Sequence, residues 1–185
     1  NPYIHLNDNN PSDTIFDSVW CELEKAKKLG IKIILMVGGA GGAFQTLFSN
    51  YNTYYNLLKN LVYSKKDIID GIDLDIEEQV SLNNVENLIK TIKAEFGSSF
   101  IVTMAPIQSS MQSDQPGMGG FIYKDLYKSC GTYIDYFNVQ CYFDLSVRNL
   151  NNIVKNGYNE IKINLGTMSG QFLNNFNKYL KIIKN

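Results

Sequence analysis

Asp70, Asp73, Asp75 and Glu77 fall within eight residues of one segment, Asp70-Gly71-Ile72-Asp73-Leu74-Asp75-Ile76-Glu77-Glu78. Ile72, Leu74 and Ile76 alternate with Asp73, Asp75 and Glu77 at period two, the spacing that sends successive side chains to opposite faces of a β-strand. Three carboxyl groups therefore share one face. Same-side neighbours on a strand stand about 6.6 to 6.8 Å apart, so in a partly desolvated interior each carboxylate raises the pKa of the next. Such a row resists full ionisation. It can keep one member protonated as a general acid while another stays anionic, and Glu77, the outermost, is expected to hold the proton. The residues alone leave two blander arrangements open, a wet acidic face on a surface strand and a cation site built from the same carboxylates. An EF-hand loop would place its Asp residues in a turn with Gly at the sixth position, and that context is absent.

The elements that must position these acids read as α/β. Short β-rich runs predict strands over 3–6, 31–37, 68–76, 100–105, 133–142 and 161–165. Helical patterns lie between them over 12–29, 51–63, 81–96, 123–130, 150–155 and 172–183, with Ser12 or Asp13 as a first N-cap and Gly30 and Gly97 as helix stops. Successive βα units with near-continuous apolar strands imply parallel pairing, in either an open doubly wound sheet or a closed eight-stranded barrel. In a barrel, active sites sit at the C-terminal ends of the strands, which is where this segment becomes most acidic. A full barrel takes roughly 250 residues, so the 185 here predict an incomplete one with about six βα units. No linker or low-complexity tract divides residues 1–185, and a single domain is expected.

Composition narrows the partners. The chain is 44% hydrophobic and 19% charged, with 17 basic and 18 acidic residues and a net charge of −1. That balance gives no electrostatic reason to bind nucleic acid or an anionic membrane, and a neutral substrate fits better. There is no run of 18 apolar residues and no basic start followed by an apolar stretch, so neither a membrane span nor a signal peptide is expected. Cys21, Cys130 and Cys141 form no CxxC pair, and no metal or cofactor is implied.

With these residues in place, the chain resembles a family-18 chitinase. The family's strand-four signature DxxDxDxE is matched in full by Asp70, Asp73, Asp75 and Glu77. The run from Ile31 to Val37 followed by Gly38 and Gly39 resembles strand three, and Thr103-Met104-Ala105-Pro106 resembles strand five. Tyr136-Phe137-Asn138-Val139-Gln140-Cys141-Tyr142 resembles strand six. Residues 3–8 would then be the tail of strand two and 161–166 strand seven. Strands one and eight would be missing, leaving edges for a partner chain or a further segment to cover. Three positions depart from the pattern. Met36 stands where Ser is usual, Phe143 follows Tyr142 where Asn or Asp is common, and the strand-eight Trp has no counterpart, since Trp20 lies on the first helix.

The resemblance implies a TIM-type (β/α)8 barrel and cleavage of β-1,4-linked N-acetylglucosamine polymers with retention and no protein nucleophile. Glu77 would protonate the glycosidic oxygen, Asp75 would orient and stabilise the substrate's N-acetyl group, and Asp73 would share a proton with Asp75. Tyr142 would donate to the acetamido oxygen, Gln140 and Met104 would line the pocket, and Gly38 and Gly39 would face substrate. Asp70, out of phase with the other acids, is expected to be structural. A non-hydrolytic glycan-binding protein of the same fold and an endo-β-N-acetylglucosaminidase acting on N-glycans are the alternatives. Other chemistries find no support: Gly38-Gly39-Ala40-Gly41-Gly42 fits neither GxGxxG nor GxxxxGK, His5 is the sole histidine, and there is no GxSxG elbow.

Overall fold

Five of the six apolar runs pair side by side. The computed structural model of the chain describes residues 2–170. Its strands are β1 (Ile34–Gly38), β2 (Gly71–Asp75), β3 (Ile101–Met104), β4 (Tyr136–Gln140) and β5 (Ile163–Gly166), all parallel and in the order β1-β2-β3-β4-β5. Doubly wound sheets reverse strand order at a switch point. This sheet has no reversal, so it is a stretch of (β/α)-barrel wall, with β1 and β5 as its edges among the described residues.

Helices α1 (Asp17–Lys28), α2 (Ala43–Ser49), α3 (Tyr51–Ser64), α4 (Leu82–Phe96), α5 (Gln108–Gln112), α6 (Tyr123–Cys130) and α7 (Val147–Lys155) fill the connections. The sequence reading missed α2 and α5, whose five to seven residues are too few for a clear 3.6-residue period. The helix expected over 172–183 lies outside the described residues. α4 illustrates the local logic. The Ser81 side chain accepts from the amide of Asn84 at its start, and Gly97 at φ 90° stops it. Between them Val85, Leu88, Ile89 and Ile92 form one fully buried stripe. Truncating Leu88 to Ala would cost about 2 to 5 kcal/mol.

One predicted strand does not form. Leu6 and Asn9 pair with each other in an isolated antiparallel bridge, around Asn7 at φ 44° and Asp8 at φ 66°. Asn and Asp tolerate left-handed backbone, so a tight turn wins over the short apolar run and residues 3–6 stay off the sheet.

The two faces of the sheet differ in chemistry. Ile72, Leu74, Val102, Met104, Phe137 and Val139 are fully buried on the helix-covered side. Asp73, Asp75, Thr103, Asn138 and Gln140 occupy the other side, where they hydrogen-bond to one another. The apolar face supplies the core and the polar face is left to line the barrel interior.

Candidate active site

β2 carries Asp73 and Asp75 into the interior, and both are buried. A wet surface strand is thereby ruled out. Oδ1 of Asp73 accepts from the Thr103 hydroxyl in a short bond and from the Asn138 amide at 3.0 Å. Oδ1 of Asp75 accepts from Gln140 Nε2 at 3.1 Å, and the same amide group donates to the Ala105 carbonyl at 2.8 Å. Period-two phase explains the pairing: Asn138 and Gln140 on β4 point inward with the acids, while Phe137 and Val139 point to the core.

Electrostatics follow from this burial. Asp75 is pushed up to about 6, first by desolvation and then by the carboxylates of Glu77, Asp73 and Glu78, against the Gln140 bond. Burial also raises Asp73, against the donors Thr103 and Asn138. The crowding anticipated from sequence is present, and it raises the inner two acids, Asp73 and Asp75. Glu77 lies just beyond the end of β2, half-buried in the loop that follows. Tyr142, 37% exposed beyond the end of β4, has its phenol pKa raised by partial burial and by the charges of Asp75 and Glu77. The interior thus gathers Asp73, Asp75, Glu77, Gln140 and Tyr142 in one place.

The glycine pair meets the same acid from β1. Gly38 pairs with Asp75 at φ 104°, and a Cβ there would lie 2.1 Å from the Asp75 carbonyl oxygen. The Gly39 amide donates to that oxygen at 2.8 Å, and its open side lies against Asp75 Oδ2.

Met104 does not lie where the resemblance puts it, and Asp70, expected to be structural, lies off the acid row. Met104 is fully buried in the core, opposite Leu74 and Phe137, so it does not line the pocket; the inward residue of β3 is Thr103. Asp70 sits at the base of β2, where it accepts from the Ile33 amide and bridges Lys27 and Lys32 at 3.1 and 3.3 Å. Burial pushes its carboxyl up, but the Ile33 bond and the two lysines outweigh that and hold it below the usual range. Trp20 is buried in the helical layer with Lys65 over its ring.

Sequence reasoning missed three groups. Thr103 and Asn138 were findable from strand phase. Glu78 was not: it turns away from the acid row and accepts from the amides of Phe44 and Gln45 at the start of α2, tying the Glu77 loop to that helix. Among the described residues, no group of three or more His, Cys, Asp or Glu side chains could hold a metal ion, and no helix is long and apolar enough to cross a membrane.

A family model for glycosyl hydrolases family 18 matches residues 5–168. The chain belongs to that family. Chitinase C of Streptomyces lividans is 32% identical over 132 residues, 64% of this family-18 chain and 20% of that protein. Chitinase 2 of Rhizopus oligosporus is 29% identical over 98 residues, 48% of this chain and 18% of that protein. The chain spans about a fifth of the length of these curated relatives. Among solved structures, a fungal endo-beta-N-acetylglucosaminidase of family 18 superimposes with a TM-score of 0.84 at 30% identity, covering 97% of this chain and 69% of that one. Chitinase ChiC of Aspergillus fumigatus gives 0.79 at 30% identity over 86% of this chain and 59% of that one. The sequential parallel sheet is a part of the family-18 barrel.

Proposed function

We propose that the chain forms one domain, the catalytic face of a family-18 glycosidase that cleaves β-1,4-linked N-acetylglucosamine in chitin or chito-oligosaccharides. The observation that carries this reading is the buried Asp75 carboxyl, held by Gln140 and surrounded by Asp73, Glu77 and Tyr142 on one interior face. Glu77 gives its proton to the glycosidic oxygen as the bond to the anomeric carbon breaks. The substrate's acetamido oxygen attacks that carbon and forms an oxazolinium ion. Asp75 stabilises the positive group, with its own charge tuned by the neighbouring Asp73, and the Tyr142 hydroxyl donates to the acetamido oxygen. Water then opens the ring after giving a proton to Glu77, and configuration is retained.

The test is release of reducing ends from an N-acetylglucosamine hexamer, with Glu77→Gln as control. Turnover by the parent and a loss of at least about 10²-fold in the variant are expected, the scale for a general acid. Equal rates in both proteins would overturn the assignment. Oligomer binding by calorimetry without any cleavage would instead point to a glycan-binding role.

A second reading, an endo-β-N-acetylglucosaminidase acting on the N-glycan core, uses the same acids. The TM-score of 0.84 to a protein of that activity favours it. Release of oligosaccharide from a high-mannose glycoprotein in preference to chitin hexamer would select it.

A further inference from the structure

Asp73 receives both of its side-chain hydrogen bonds on one oxygen. The Thr103 hydroxyl and Asn138 Nδ2 both donate to Oδ1, and Oδ2 takes neither. Behind this pair stands a third residue. Asn164 on β5 pairs in register with Asn138, and its Nδ2 donates to Asn138 Oδ1 at 3.4 Å. The Asn138 amide thus faces Asp73 with its NH2 and Asn164 with its oxygen. Reversed, it would set its oxygen against the Asp73 carboxylate and its NH2 against the NH2 of Asn164, losing an attraction at each end. A row of neutral side chains on β3, β4 and β5 therefore ends on one atom of Asp73. From the other side β1 offers no donor, because the residue in register with Asp73 is Met36.

We propose that Asn138, oriented by Asn164 and assisted by Thr103, is a positioning residue that fixes Oδ1 of Asp73 as an acceptor and leaves Oδ2 as the seat of its proton. Nothing in the acid row itself would choose between the two oxygens. An acceptor already holding two donors is the poorer base, so the proton goes to the other oxygen. The consequence is directional: the proton Asp73 shares with Asp75 has one starting atom instead of two. The titratable groups that influence or are influenced by Asp73 are Asp75 on its own strand, Tyr136 on β4 and Tyr123 at the start of α6. β1, β3 and β5 face it with Met36, Thr103 and Asn164, none of which titrates.

This inference rests on the hydrolase reading for its use but not for its test. The Asp73 carboxyl carbon is titrated by NMR in the full chain, in Asn164→Leu, and in Thr103→Val with Thr103→Ser as the conservative partner. Thr103→Val removes a donor to the anion and Asn164→Leu removes the contact that orients the donor Asn138, so each should raise the Asp73 pKa, by about one unit at most, and Thr103→Ser should keep the parent value. An Asp73 titration unmoved in both Asn164→Leu and Thr103→Val, with amide spectra still native, would overturn the proposal. If either variant fails to fold, the other and the Ser variant decide. A raised Asp73 pKa in a chain that cleaves no N-acetylglucosamine oligomer would uphold the positioning role and remove only the hydrolase reading. Turnover with an unmoved titration would do the reverse.

Discussion

Gln140 and Asp75 stand on strands two apart, yet the Gln140 amide nitrogen lies 3.1 Å from Asp75 Oδ1. β3 between them contributes only the Ala105 carbonyl, which holds the same nitrogen at 2.8 Å. The amide is thus pinned with its donor facing the acid, and it opposes the burial and crowding that drive the Asp75 pKa upward.

Replacing Gln140 by Leu removes that donor and should carry the Asp75 pKa above its parent value. A hydrogen bond to a charged group is worth about 1.5 to 3 kcal/mol, so kcat/KM on a chitin oligomer should fall about 10- to 100-fold. The deficit should widen as pH falls, because the variant loses its Asp75 anion first. A uniform deficit across the pH profile would contradict the role given to this bond.

Stability should carry the same signature. The folded pKa of Asp75, about 6, lies above the ordinary aspartate value of 3.8, so the folded state binds the proton more tightly than the unfolded chain does. The stability this confers is complete below about pH 4 and is lost as pH rises through about 6. Asp75→Asn keeps an oxygen for Gln140 and removes the charge. Urea unfolding should find the variant more stable than the parent by on the order of 2 kcal/mol at pH 7, with the gap closing near pH 4. A gap of the same size at both pH values would show that the shift lies elsewhere.

Gly38 and Gly42 both have positive φ, 104° and 71°, but differ in surroundings. A Cβ at Gly38 meets the Asp75 carbonyl at 2.1 Å and the Phe44 ring at 2.5 Å, whereas one at Gly42 meets nothing within 4 Å. Gly38→Ala should therefore cost about 3 kcal/mol or more, strain plus overpacking, and Gly42→Ala about 1 kcal/mol. Thermal unfolding of the two variants side by side measures the difference. Equal losses would mean that β1 does not approach β2 as closely as described.

The acid row was legible because its period is two and its apolar partners are β-branched or Leu, so phase alone put Asp73, Asp75 and Glu77 on one side. The parallel sheet was legible from the alternation of short apolar runs with capped helices such as the one between Ser81 and Gly97. The first run failed because Asn7 and Asp8 reverse the chain, a local turn preference that a four-residue apolar pattern cannot outweigh. Met104 was misplaced by following the resemblance instead of the phase, which sets it with Val102 and away from Thr103. Glu78 was out of reach: its partners are amides 33 and 34 residues earlier in the chain, and no spacing rule connects them. The upward shift of Asp73 and Asp75 also needed coordinates, since it follows from their burial and sequence gives only their spacing.

The central claim is that Asp75, flanked by Tyr142 and Glu77, serves a reaction in which the substrate's own acetamido group is the nucleophile. The most direct measurement compares an N-acetylglucosamine hexamer with the same hexamer stripped of its acetyl groups, following the product anomer by proton NMR. The account predicts cleavage of the acetylated oligomer with the β-anomer formed first, and no cleavage of the stripped one. Comparable rates on both, or first formation of the α-anomer, would contradict it.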